Sequence, residues 1–315
     1  MGLTMTIRLQ SVLHVNLNCR DQYKSRDMLA HLGFQPASVL KPEPQDGADM
    51  GVDGLVQWDG FAMISSAAWD SAMIDLLSFN LPPVVGRAYP TLDHIGYNRL
   101  LVNVVDINQV YAQLSAETQI VSLSSLCTNE QAADNEQAKQ VAFSCRDTDG
   151  ICYDIIQAAN NQTPGLSGVV VSCADLNKTR DWYTHRLGLK AIAEPRDLTL
   201  LISRYTSDNQ QQSIQVRSCD LQLPDRNDFI IRLQQAETAY GEPYQEVNHV
   251  GLYRMAFAVA DIQAAYQQLL AAGVNCPKPP VSQDMGEGVP VDGVWALFFY
   301  DPDGICVELI QPPKF

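Results

Sequence analysis

Long apolar runs are missing from this chain of 315 residues. None approaches the ~20 residues needed to cross a bilayer, so no membrane-spanning helix is expected. The opening stretch MGLTMTIRLQSVLHVNLN lacks a basic segment followed by an apolar one. No signal peptide is expected, and the protein reads as cytoplasmic. Basic residues are scarce: 21 Lys and Arg stand against 36 Asp and Glu, for a net charge of −15. Nucleic acid and anionic membranes, which attract basic surfaces, are therefore not expected as partners. The eight cysteines include no C-x-x-C pair, which removes zinc-ribbon and redox spacing. Cys19, Cys152, Cys173 and Cys306 lie in apolar, strand-like runs, where a reduced thiol behaves as a small hydrophobe.

What the chain does have is internal repetition, the feature to seek first. The stretch GRAYPTLDHIGYNRLLVNVVDINQVYAQL from Gly86 aligns without a gap on GEPYQEVNHVGLYRMAFAVADIQAAYQQL from Gly241, at an offset of 155. Gly86, Tyr89, His94, Gly96, Arg99, Asp106 and Tyr111 all have an identical partner. RDTDGICYDIIQ from Arg146 is likewise repeated as YDPDGICVELIQ from Tyr300, at an offset of 154. The chain therefore reads as two similar halves, 1–158 and 166–315, joined by a polar Pro/Gly linker at 159–165. With 46% apolar and 18% charged residues, it can bury a sizeable core.

Each half divides again. LHVNLNC and LLVNVVDI alternate as strands do, and each precedes a helix-like stretch followed by two or three further strands. In the helix predicted over 175–187, Asp175 can cap the start, and Trp182, Tyr183 and Leu187 fall near one face. The unit β-α-β-β-β occurs four times. The segments 41–54 and 126–139 read as polar loops.

With these units and the DPDGICVELIQ ending, the chain resembles the vicinal oxygen chelate superfamily, which includes glyoxalase I, bleomycin-resistance proteins and extradiol dioxygenases. The resemblance spans roughly 8–313. It implies an α+β fold in which four βαβββ modules form two cupped, mostly antiparallel sheets. It also implies a metal inside the cup, held from the first and last strand of each module. Carried onto this chain, those positions are His14 and Asp75, Arg99 and Asp154, Gly168 and Gln215, Arg254 and Glu308. Two module pairings are open: first with second and third with fourth, or first with fourth and second with third.

A divalent ion wants imidazole and carboxylate donors. Only one of the eight positions is His, two are Arg, which cannot coordinate a metal, and one is Gly. His14, Asp75 and Glu308 would be the ligands of any iron, manganese, zinc or nickel, but the expected state has no cofactor. The leading expectation is a lyase, isomerase or cyclase. In it His14 or Asp75 acts as base and Arg254 stabilises an oxyanion beside Glu308. A metal-dependent dioxygenase or glyoxalase is the alternative, and a non-catalytic binder is the third. Arg99, Asp154, Gln215 and Trp58 would contact substrate, with Trp58 or Phe61 lining the cup. Arg99–Asp154 has an equally simple reading as a structural ion pair. His94 and His249 read as turn histidines that hydrogen-bond backbone. The substrate would be a small, apolar, oxygen-bearing molecule, and the protein a monomer or homodimer.

Overall fold

The computed structural model describes residues 7–50, 52–129, 140–160, 162–201, 213–283 and 293–312. Four modules follow one another. The first holds β1 (Leu9–Asn18), α1 (Gln22–His31), β2 (Gln35–Leu40), β3 (Gln45–Asp46), β4 (Leu55–Ile64) and β5 (Met73–Leu81). The second holds β6 (Gly96–Val104), α2 (Ile107–Ser115), β7 (Ile120–Leu123), β8 (Cys127–Asn129), β9 (Gln140–Asp147) and β10 (Cys152–Gln157). The third holds β11 (Gly165–Ser172), α3 (Leu176–Leu187), β12 (Lys190–Ala191), β13 (Arg196–Leu201), β14 (Ser213–Gln222) and β15 (Ile230–Ala236). The fourth holds β16 (Gly251–Val259), α4 (Ile262–Ala271), β17 (Val281–Gln283), β18 (Val294–Tyr300) and β19 (Cys306–Gln311). No described helix is long and apolar enough to cross a membrane.

Each helix starts at an aspartate. Asp21, Asp106, Asp175 and Asp261 each turn a side-chain oxygen back onto backbone N–H groups of the first turn. That satisfies donors which have no partner inside the helix.

The modules pair first with fourth and second with third. One sheet runs β17-β18-β19-β16-β1-β5-β4-β2, with β3 added on β4. The other runs β12-β14-β15-β11-β6-β10-β9-β7, with β13 on β14 and β8 on β9. Each sheet is sewn at its centre by two first strands running antiparallel, β1 with β16 and β6 with β11. Each half of the sequence thus contributes one module to each sheet. One face of each sheet alternates into a common core with the helices, where Leu17, Leu29, Tyr183, Phe257 and Phe299 are buried. The opposite faces are the cups. The segment 41–54, read as loop from sequence, carries β3 and a 3-10 turn, Ala48–Met50. Met50 is buried there with Trp58 and Phe298 of the first cup. The stretch 130–139 lies outside the described residues.

The two halves also meet through four stacked rings. Tyr89 and Tyr244 stack at 4.0 Å. His94 lies on Tyr89 at 4.1 Å, and His249 lies on Tyr244 at 4.0 Å. Each imidazole Nδ1 donates to the next residue's carbonyl, Ile95 at 3.0 Å and Val250 at 2.8 Å. The turn reading of both histidines is what the geometry shows. Gly86 and Gly241 make room for the outer rings. Their φ values are +68° and +78°, and an added Cβ would sit 2.0 Å from His249 Nε2 and 2.3 Å from His94 Nε2 respectively.

The two D-x-D-G turns are built on their first aspartate. Asp147 Oδ1 accepts the N–H groups of Asp149 and Ile151, and its Oδ2 accepts the Tyr153 hydroxyl. Asp301 repeats this with Asp303, Ile305 and the Tyr183 hydroxyl. Burial outweighs these bonds and pushes both carboxyls up to about 7.

Two predictions follow from this packing. Gly86→Ala and Gly241→Ala should each lose about 2 kcal/mol or more of unfolding free energy. Gly33→Ala, whose Cβ meets nothing within 4 Å at φ +90°, should lose only about 1 to 2 kcal/mol; urea melts measure the difference. The second concerns pH. Asp147 and Asp301 hold their protons more tightly folded than unfolded, so their contribution to stability falls as pH rises from 3.8 towards about 7. Asp147→Asn and Asp301→Asn should flatten that part of the stability–pH curve.

Candidate functional site in the first cup

Strand register places the cup residues. In every module the first and last strands run parallel. The residue two beyond the first-strand cup position lies beside the last-strand cup residue. The pairs are Asn16 with Asp75, Leu101 with Asp154, and Ala256 with Glu308. In the third module the same rule pairs Val170 with Arg232.

This corrects one expectation. Gln215 is not on the last strand of the third module: it lies on β14, exposed, and accepts a hydrogen bond from Thr199. The last strand is IIRLQQA, and Arg232 holds the position that Asp75 holds in MIDLLSF. The shared Ile-x-Leu frame around Asp75 and Arg232 was the signal available for it.

The first cup brings His14, Asp75, Arg254 and Glu308 together, all four buried. Arg254 donates from Nε to Glu308 Oε2 at 2.8 Å and from Nη2 to Asp75 Oδ2 at 2.9 Å. His14 Nε2 is 3.1 Å from the same Glu308 oxygen and 3.8 Å from Asp75 Oδ2. Asn16, which the sequence reading missed, donates to Asp75 through Nδ2. Asp75 comes from the first module, and Arg254 and Glu308 come from the fourth. The site exists only because β1 and β16 pair.

Burial alone would raise Glu308, but Arg254 and His14 reverse this and hold its carboxyl below the usual value. Burial opposes the charged form of Arg254 as well, yet Glu308 and Asp75 push its guanidinium above its ordinary range. Glu308 is therefore ionised and can only accept, which puts the proton on His14 Nε2. Two atoms stay uncommitted. Arg254 Nη1 is buried with no hydrogen-bond partner. Asp75 accepts its two side-chain hydrogen bonds on Oδ2, from Asn16 and Arg254, which leaves Oδ1 without a bond from the described residues.

The metal implied by the resemblance does not fit this geometry. His14, Asp75 and Glu308 converge, but the Arg254 guanidinium lies on one oxygen of each carboxylate, and its charge would repel a cation. Among the described residues, no group of three His, Cys, Asp or Glu side chains is arranged to hold a metal.

The walls of the first cup are apolar. Trp58 faces inward with Leu40, Val56, Phe79 and Phe298, and lies 5.7 Å from the Phe79 ring. Phe61 turns the other way, into the helix-side core. In the second cup, Arg99 Nε donates to Asp154 at 2.7 Å and Arg99 Nη2 to Gln234 at 3.1 Å, and Ser144 donates to Asp154 at 2.6 Å. Gly168 stands where His14 stands in the first cup, and a Cβ there would meet the Ile230 carbonyl at 2.4 Å. The second cup has no room for that histidine.

Removing Arg254 would leave two buried carboxylates uncompensated. Arg254→Met should therefore cost about 3 kcal/mol or more in a denaturant melt. Glu308 is held below 4.5 in the folded state, so its contribution is present above 4.5 and lost as pH falls through the folded value. Glu308→Gln should remove that acid-side loss.

Comparisons with known proteins agree with this architecture. The profile of the Glyoxalase/Bleomycin resistance protein/Dioxygenase superfamily matches residues 165–309. The uncharacterized protein YwkD of Bacillus subtilis (strain 168) is 25% identical over 146 residues, which is 45% of this chain and 93% of that protein. A glyoxalase I mutant from Zea mays superposes with a TM-score of 0.67 at 15% identity, covering 96% of this chain and 93% of that one. Glyoxalase I from Zea mays gives 0.62 at 16% identity, over 96% and 92%. At such identity the likeness speaks to fold. The profile thus marks residues 165–309 as similar to the Glyoxalase/Bleomycin resistance protein/Dioxygenase superfamily, and the whole chain shares the four-module fold of glyoxalase I.

Proposed function

We propose that the first cup is the working site of a small-molecule enzyme that moves a proton beside a carbonyl, as a lyase, isomerase or cyclase does. The observation that carries this reading is Arg254 Nη1: a buried, unsatisfied donor next to two carboxylates and an imidazole. A buried donor left without an acceptor costs about 1 to 3 kcal/mol. An enolate oxygen in the cup would satisfy it, and more strongly as negative charge develops.

The roles divide by hydrogen bonding. Asp75 is the base, because its Oδ1 carries no hydrogen bond from the described residues. His14 is a positioning residue, because its Nε2–H is held by ionised Glu308. Glu308 holds Arg254 and His14 in place. The apolar wall of Trp58, Phe79 and Phe298 suits a substrate that is largely apolar apart from its oxygens. Because the Arg254 guanidinium sits against both carboxylates and would repel a cation, this reading has precedence over a metal-dependent dioxygenase or glyoxalase.

The test is deuterium uptake at the α-carbon of methyl ketones and 1,3-diketones in D2O, followed by NMR with chelator present. The wild-type protein should accelerate exchange. Asp75→Asn should lose about 100-fold or more of it. Exchange that needs an added divalent metal would contradict the proposal. So would exchange untouched by Asp75→Asn. Tight binding of these compounds with no exchange would identify a binding protein instead.

A further inference from the structure

Asn16 stands where the fold asks for nothing polar. It lies on β1 in register with Asp75. The same register position holds Leu101, Val170 and Ala256 in the other three modules. Val15 and Leu17, its neighbours along the strand, point into the helix-side core, so Asn16 faces the first cup.

The amide is 0% exposed, and its orientation is fixed. Nδ2 donates to the Asp75 backbone carbonyl at 3.1 Å and to Asp75 Oδ2 at 3.4 Å. Turned over, the amide would set its oxygen against two acceptors. The oxygen therefore faces away from Asp75. It is buried and has no hydrogen-bond partner among the described residues. Polar atoms buried this deeply are normally satisfied.

The first cup thus holds two unused atoms of opposite kind. Arg254 Nη1 is a donor and Asn16 Oδ1 is an acceptor. Both side chains bond the same oxygen of Asp75, so the two atoms flank the base. A simple ketone supplies an acceptor for Arg254 and nothing for Asn16. A ketone with a hydroxyl supplies both. The position of that hydroxyl follows from Asp75. On the carbon that loses its proton, a hydroxyl would itself donate to the base. One carbon further on, it clears Asp75 and can reach Asn16.

We propose that Asn16 is a specificity-determining residue whose Oδ1 accepts from a substrate hydroxyl, and that the substrate is a β-hydroxy ketone that keeps this hydroxyl. The proposal rests on the acid–base reading of the first cup. The C–H bond between the carbonyl and carbinol carbons breaks, and its proton goes to Asp75 Oδ1. The electron pair forms the enolate, whose oxygen accepts from Arg254 Nη1. A proton returns from Asp75 to carbon. Asn16 Oδ1 has no proton to give a departing hydroxide, so water is not lost.

The test follows deuterium uptake at C3 by NMR, with the whole protein in D2O and chelator present. The probes are 4-hydroxybutan-2-one, butan-2-one, and 4-methoxybutan-2-one, an ether that keeps the oxygen and lacks the O–H. Each rate is divided by the rate in buffer alone. The hydroxy ketone should exceed the other two by about 10-fold or more in kcat/KM, which is about 1.4 kcal/mol, and no butenone should form. Asn16→Leu also removes the Nδ2 support of Asp75, so it should slow all three probes. The readout is the ratio, which should collapse until the three exchange alike; a purely structural amide would leave it unchanged. Exchange of all three probes alike by wild-type protein would overturn the proposal and leave the acid–base reading standing. A preference that survives in folded Asn16→Leu, or the appearance of butenone, would also overturn it. If no probe exchanges, the acid–base reading falls and this proposal falls with it. Should Asn16→Leu fail to fold, the wild-type comparison of hydroxy ketone with ether decides.

Discussion

Arg254 between Asp75 and Glu308 is the interaction on which the first cup depends. Two carboxylates cannot stay ionised inside an apolar sheet unless a cation neutralises them. In this chain the cation is a side chain, fixed by the strand that also carries the pairing between the first and fourth modules. The bridge from Arg254 to Asp75 spans 179 residues of sequence. Site and fold are therefore coupled: β1 must lie beside β16 for the charges to balance. The guanidinium also offers directed N–H donors, which a spherical ion does not.

The two cups show how one duplicated frame can diverge. Both place an arginine on a first strand and an acid two register positions along the neighbouring last strand. In the first cup the remaining positions are His14 and Asp75. In the second they are Gly168 and Arg232. Arg99 donates to Asp154 and, across the module seam, to Gln234. Arg232 instead turns to Asp220 on its own module. The degenerate third module is thus not an empty copy; its losses reshape the cup.

Much of this was legible before the structure. Alternation and the internal repeats mark four modules, and the resemblance, carried onto their first and last strands, offers His14, Asp75, Arg254 and Glu308 among eight positions. Their convergence was not legible, because β1 presents the same alternating edge to either partner. Only the tertiary pairing selects β16. Gln215 was misplaced for a related reason: β14 and β15 are both alternating runs, and a pattern with period two does not say which strand is last. Asn16 and Gln234 escaped notice because a buried amide in a strand has no sequence signature beyond its polarity. The ring stack was visible only as two repeated Tyr and His positions; that the four rings touch follows from the symmetry of the assembled halves.

The central claim is that Arg254 occupies the cation's place. Titration calorimetry with nickel, on the wild-type protein and on Arg254→Ala, tests it most directly. The account predicts no nickel binding at this site in the wild type. It predicts binding in Arg254→Ala, where His14, Asp75 and Glu308 become free to act as three donors, and loss of that binding when His14→Ala is added. Wild-type protein that binds nickel at one ion per chain, with His14→Ala abolishing it and Arg254→Ala not improving it, would contradict the account.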